Sequence, residues 1–104
     1  MARFDVYANP DASERAFIPF FLDVQNDYIQ GLQTRVVVPL WHGEALSHKV
    51  ADLNPELEVA GQRVVMDTPA LGAVPVPLLK QPVGNVTSQQ LAIQNALDTL
   101  FGGF

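Results

Sequence analysis

T-R-V-V-V-P-L, Thr34–Leu40, decides the fold class. Three consecutive β-branched valines favour a strand over a helix. Apolar side chains on both sides of the pleat predict burial on both faces. Pro39 has no N–H to give to a ladder, so it limits where this strand can sit.

Working back towards the start, Ala16 to Gln25 (A-F-I-P-F-F-L-D-V-Q) is β-rich and dense in aromatics. Pro19 marks an edge or a bulge. Phe17, Phe20, Phe21, Leu22 and Val24 are too many apolar residues for one face, and the three phenylalanines read as barrel core. Asn26-Asp27 begins a turn that carries Tyr28 and Ile29, and Gly31 is a further turn signal. Arg3 to Tyr7 alternates, with Phe4 and Val6 on one face and Arg3, Asp5 and Tyr7 on the other. That pattern predicts a half-buried strand. Asn9 to Glu14 is a polar loop.

Forward from Leu40, Trp41 reads as core or interface, and Trp41-His42-Gly43-Glu44 leads to Ala45-Leu46, a short helix or a loop. Asp52 to Pro55 is a turn. Leu57–Ala60 and Gln62–Met66 flank Gly61 and predict a hairpin. Asp67 to Gly72 is a loop. Val74 to Leu79 (V-P-V-P-L-L) is extended, since Pro75 and Pro77 oppose a helix. Pro82 to Val86 leads into T-S-Q-Q-L-A-I-Q-N-A-L-D-T-L-F-G-G-F, Thr87–Phe104. There Ile93, Leu97, Leu100 and Phe104 repeat at helical spacing, with Ala92 and Ala96 beside them. Thr87 as N-cap and Gln90 three residues on predict a capping box. Gly102-Gly103 predict the helix stop, because glycine enters the left-handed C-cap conformation freely. Short strands with turn signals about every eight to twelve residues, then one helix, predict a small barrel or sandwich. The whole of 1–104 reads as one domain.

Composition narrows the function. Of 104 residues, 48% are apolar and only 16% charged. That favours a homo-oligomer or a binding face over a freely solvated monomer. Net charge is −5 and the pI about 4.6. The basic residues Arg3, Arg15, Arg35, Lys49, Arg63 and Lys80 are scattered, without the footprint that phosphate-backbone binding needs. An acidic chain suits a basic partner instead. The absence of cysteine excludes a disulfide framework and thiolate chemistry. The stretch M-A-R-F-D-V-Y reads as neither a signal peptide nor a targeting sequence, and no apolar run approaches membrane-spanning length, so the cytoplasm is the expected location.

No pattern here carries catalysis. His42 and His48 lie six apart, a spacing with no metal motif, and read as solvated loop residues. Ser13, Ser47 and Ser88 lie in no nucleophile elbow. Asp23 and Asp27 could pair as carboxylates, although structural capping is the simpler reading. Neither a metal nor another cofactor is expected. The residues point to a binding protein, not an enzyme.

F-L-D-V-Q-N-D at Phe21–Asp27, T-R-V-V-V-P-L at Thr34–Leu40, A-V-P-V at Ala73–Val76 and a closing helix ending F-G-G-F resemble, in that order, the CcdB family of toxins. The resemblance covers essentially the whole chain. It implies an SH3-like barrel of the CcdB/MazF/Kid type, with a five-stranded antiparallel sheet, a small three-stranded sheet and a C-terminal helix. It implies a homodimer that binds the DNA gyrase A subunit, traps the gyrase–DNA cleavage complex and is neutralised by a CcdA-like antitoxin. The fold is shared with MazF-like endoribonucleases, which supply an alternative function. A further alternative is a non-toxic dimer that only binds antitoxin. Carried over position by position, the resemblance places gyrase contacts at Tyr28, Ile29, Asp98, Phe101, Gly102, Gly103 and Phe104. Gly102 departs from the pattern: the best-known toxin carries a tryptophan there.

Overall fold

The computed structural model describes residues 1–29 and 31–103. Its elements run β1 (Asp5–Ala8), β2 (Phe20–Asp23), β3 (Thr34–His42), β4 (Glu56–Val59), β5 (Gln62–Met66), β6 (Gly72–Pro75), β7 (Gly84–Asn85) and α1 (Gln90–Phe101), with single 3-10 turns between some of them. All ladders are antiparallel.

The valine strand β3 is the spine, and its two edges serve different partners. One edge pairs with β2, Val37 opposite Asp23 and Leu40 opposite Phe20. The other edge pairs first with β6 over Thr34–Val37 and then with β5 over Leu40–His42. The order β6-β3-β2-β1-β7 is the expected five-stranded sheet, and β4-β5-β3 the small three-stranded one. Sharing β3 makes them one nearly closed, barrel-like sheet. Pro39 sits at the junction. Its carbonyl accepts the Asp67 N–H at 3.0 Å. Its missing donor therefore faces the gap between β6 and β5, where no ladder partner requires one.

The main core lies inside this sheet and under α1. It joins Phe4, Val6, Phe20, Leu22, Val38, Leu40, Val64 and Met66 to the buried helix stripe Ile93, Ala96 and Leu97. The β4–β5 hairpin turns on Ala60 and Gly61, with φ of 51° and 78°. Two positive φ values in a two-residue loop match the strand twist.

Several expectations are corrected. Tyr7 is not on a solvated face: it is buried in a second cluster with Val37 and Leu79. The segment after β6 folds back over that face, so β1 is covered on both sides. Phe17 is not barrel core but 57% exposed, because the strand begins only at Phe20, after Pro19. Val76–Leu78 is a 3-10 turn rather than extended chain. Its proline sits in the first turn, where no donor is needed. The capping box is absent. Thr87–Gln89 forms a 3-10 turn, and α1 has no side-chain N-cap hydrogen bond. Asn85 does the local capping instead, its Oδ1 accepting the Thr87 N–H (2.9 Å) and hydroxyl (2.5 Å). His42 is the last residue of β3 and half-buried, not a loop residue.

Candidate functional site

The turn after β2 is built by Asn26. Its side-chain oxygen accepts the Tyr28 N–H at 2.9 Å, and its carbonyl accepts the Ile29 N–H at 3.1 Å. This closes the turn tightly and leaves the next two side chains outside. Tyr28 is 96% exposed and Ile29 about half exposed.

Beneath the turn lies a buried ion pair. Arg35 on β3 donates from Nε to Asp23 Oδ2 (2.7 Å) and from Nη2 to Asp23 Oδ1 (2.9 Å). Both side chains are almost wholly buried. This two-pronged bond, together with burial opposing it and the added charge of Asp27, leaves the Arg35 pKa raised. Asp23 also accepts the Gln25 N–H, and Gln25 Oε1 accepts the Val36 N–H. The two aspartates therefore do not form a catalytic carboxylate pair: Asp23 is committed to Arg35, and Asp27 accepts the Arg3 N–H at 2.7 Å. Nearby, the Tyr7 hydroxyl is buried with no hydrogen-bond partner among the described residues. Burial first, then the charges of Asp5 and Asp23, push its pKa up to about 12.

The second half of the site is the end of α1. Leu91, Gln94, Asp98 and Phe101 fall at i, i+3, i+7 and i+10 and form one row, separate from the buried stripe. Leu91 and Phe101 are 73% and 69% exposed. Gln94 donates to Asp98 Oδ1 at 2.9 Å, an i,i+4 pair. Gly102 takes φ +72°, the left-handed stop expected from the sequence, and the Gly102 and Gly103 N–H groups both point to the Asp98 carbonyl. A Cβ at Gly102 would meet nothing within 4 Å. A Cβ at Gly103 would lie 3.3 Å from Asp98 Oδ1, so this glycine packs closely over Asp98. Phe104 lies outside the described residues.

Arg3 joins the halves. Its backbone N–H goes to Asp27, its Nε donates to the Val24 carbonyl (3.2 Å), and its Nη2 donates to Gln94 Oε1 (3.0 Å). The chain Asp27–Arg3–Gln94–Asp98–Gly103 is thus hydrogen-bonded from the turn to the helix tip. An open groove of about 290 Å³ runs beside it, lined by Arg3, Phe4, Gln90, Leu91 and Gln94. The sequence held a signal for Gln94, its i,i+4 spacing to Asp98. It held none for Arg3, whose partners come from three distant segments.

Elsewhere, a cleft of about 530 Å³ beside His42 is lined by Glu44, Lys49, Glu56 and Arg63, which balance in charge. Among the described residues no group of His, Asp or Glu could hold a metal ion, and no helix is long and apolar enough to cross a membrane.

A nearly closed β-barrel with one C-terminal helix, and a surface of exposed apolar side chains set on a hydrogen-bonded frame, defines a small barrel protein of the toxin type. The family model described as CcdB protein matches residues 3–103, and the chain belongs to the CcdB family. It is therefore a toxin of a toxin–antitoxin pair.

Proposed function

We propose that the protein acts as a homodimer that binds the DNA gyrase A subunit, traps the gyrase–DNA cleavage complex, and is neutralised by a CcdA-like antitoxin. Family membership over residues 3–103 carries this reading. The exposure of Tyr28, Ile29 and Phe101 around one frame supports it. Tyr28, Ile29, Asp98, Phe101, Gly102, Gly103 and Phe104 form the proposed contact set. Exposed aromatic rings attract guanidinium groups by about 0.5–2 kcal/mol each. Asp98 adds a carboxylate beside Phe101, and the chain as a whole carries a net −5. An arginine-bearing protein face suits that chemistry. The toxin acts by occupying its target, with no bond made or broken by its own residues. Exposed Phe17, Leu78 and Val83 offer apolar surface that a second copy could cover. The place of action is the cytoplasm, where gyrase works.

Gly102 favours a second reading, a non-toxic dimer that binds antitoxin alone, because an aromatic anchor at the interface centre is missing. Calorimetric titration with the gyrase A dimerisation region, and separately with a CcdA-like C-terminal peptide, separates the two. Binding of both supports the gyrase reading. Binding of the peptide alone supports the second.

A further inference from the structure

We infer that Arg3 is a positioning residue: it locks the Tyr28–Ile29 turn and the Asp98–Gly103 helix end into one preformed surface. The inference rests on the gyrase reading for its use, but its geometry stands by itself.

The chain reaches Arg3 through a β-turn in which the Asp5 N–H meets the Ala2 carbonyl at 3.1 Å. Phe4, the third residue of that turn, has φ +72°. Turns of this sign usually give the position to glycine. A bulky side chain there costs roughly 1–2 kcal/mol. The strain is held in place by three anchors. The Phe4 ring is buried in the main core, its N–H donates to the Asp23 carbonyl (2.7 Å), and its carbonyl accepts the Val86 N–H (2.9 Å). So fixed, the turn sets Arg3 at a corner where it meets β2's exit, the Asp27 turn and α1 together.

The guanidinium lies over the Phe4 ring, 4.8 Å from its centre. Its fork then donates in two directions, to Val24 and to Gln94. A lysine has the charge but not the fork, and cannot fill both places. Gln94 passes the constraint to Asp98, and Asp98 holds Gly103. Preorganisation of a two-part surface improves affinity by reducing the ordering cost on binding.

The experiment compares the unmodified dimer with Arg3→Ala and Arg3→Lys. Backbone amide NMR spectra of the free proteins are recorded, with thermal midpoints and calorimetric affinity for the gyrase A dimerisation region. Both variants keep the main-chain N–H bond to Asp27 but lose the two-way fork to Val24 and Gln94, and are expected to shift the amides from Val24 to Ile29 and also those of Asp98 to Gly103. Gyrase affinity is expected to fall about tenfold, with the thermal midpoint lowered by only a few degrees. A purely structural role would lower the midpoint and leave the helix-end amides in place. Shifts confined to residues 2–5 and their direct contacts, or full affinity in Arg3→Lys, would overturn the inference. If the unmodified protein does not bind gyrase, the functional reading falls, and the amide comparison alone then decides the role of Arg3.

Discussion

The side-chain amide of Gln89 makes both backbone hydrogen bonds of Glu58, donating to its carbonyl at 2.8 Å and accepting its N–H at 3.0 Å. Strand β4 is an edge of the sheet, and an unpaired edge invites pairing with another chain. One side chain from the turn before α1 thus takes the place of a neighbouring strand and joins the barrel's two ends.

Gln89→Ala removes both bonds. Stability is expected to fall by about 1 kcal/mol, since the bonds are exposed to water. The Glu58 amide is expected to lose protection in hydrogen–deuterium exchange, and unchanged protection there would contradict the assignment.

Breaking the Arg35–Asp23 pair has a larger effect. Arg35→Ala leaves Asp23 as an uncompensated buried charge, with an expected loss of about 3–5 kcal/mol, and Asp23→Ala is expected to cost less because Asp27 stays 3.8 Å from Arg35. Replacing both together is expected to cost less than the sum of the two. Urea denaturation of the four proteins measures this, and additive losses would mean that the two charges do not depend on each other.

Tyr7 predicts an alkaline limit. Its folded pKa of about 12 exceeds the ordinary 10.0, so the unfolded chain gives up this proton first. The stabilising contribution is complete below pH 10 and is lost as pH rises from 10 to 12. The full loss is on the order of 3 kcal/mol. Tyr7→Phe removes the titrating group together with an unpartnered buried hydroxyl. It is expected to be neutral or stabilising near pH 7 and to flatten the decline above pH 10. Denaturant midpoints between pH 7 and 11.5 test both statements.

Gly102→Trp restores the missing aromatic. A Cβ there meets open space, so the ring has room, but φ +72° disfavours any side chain. The expected stability cost is about 1–2 kcal/mol. A tighter complex with the gyrase A dimerisation region is expected in return, with a slower dissociation read by surface plasmon resonance. An unchanged dissociation rate would remove this position from the contact set.

Much of the fold was readable because its signals are local. The valine run of β3, the Gly61 hairpin and the Gly102 stop each follow from the backbone preferences of a few adjacent residues. What was misread depends on distant chain. Alternation gave Tyr7 to solvent, but the segment ending at Leu79 covers it. Aromatic density gave Phe17 to the core, but Pro19 starts the strand too late. Thr87 and Gln90 have capping-box spacing, yet Asn85 caps the turn and Gln89 is drawn across to Glu58. For the proposed site, family resemblance names Tyr28, Ile29, Asp98, Phe101, Gly102, Gly103 and Phe104. The Arg3 link between them exists only in the folded chain, because its partners stand 21, 24 and 91 positions away.

The most direct test is a gyrase cleavage assay with the intact protein and with a variant ending at Phe101. The intact protein is expected to accumulate gyrase-linked broken DNA. The shortened one is expected to remain a folded dimer by circular dichroism and sedimentation and to accumulate none. Equal cleavage by both proteins would contradict the role given to the helix end, and no cleavage by the intact protein would contradict gyrase poisoning itself.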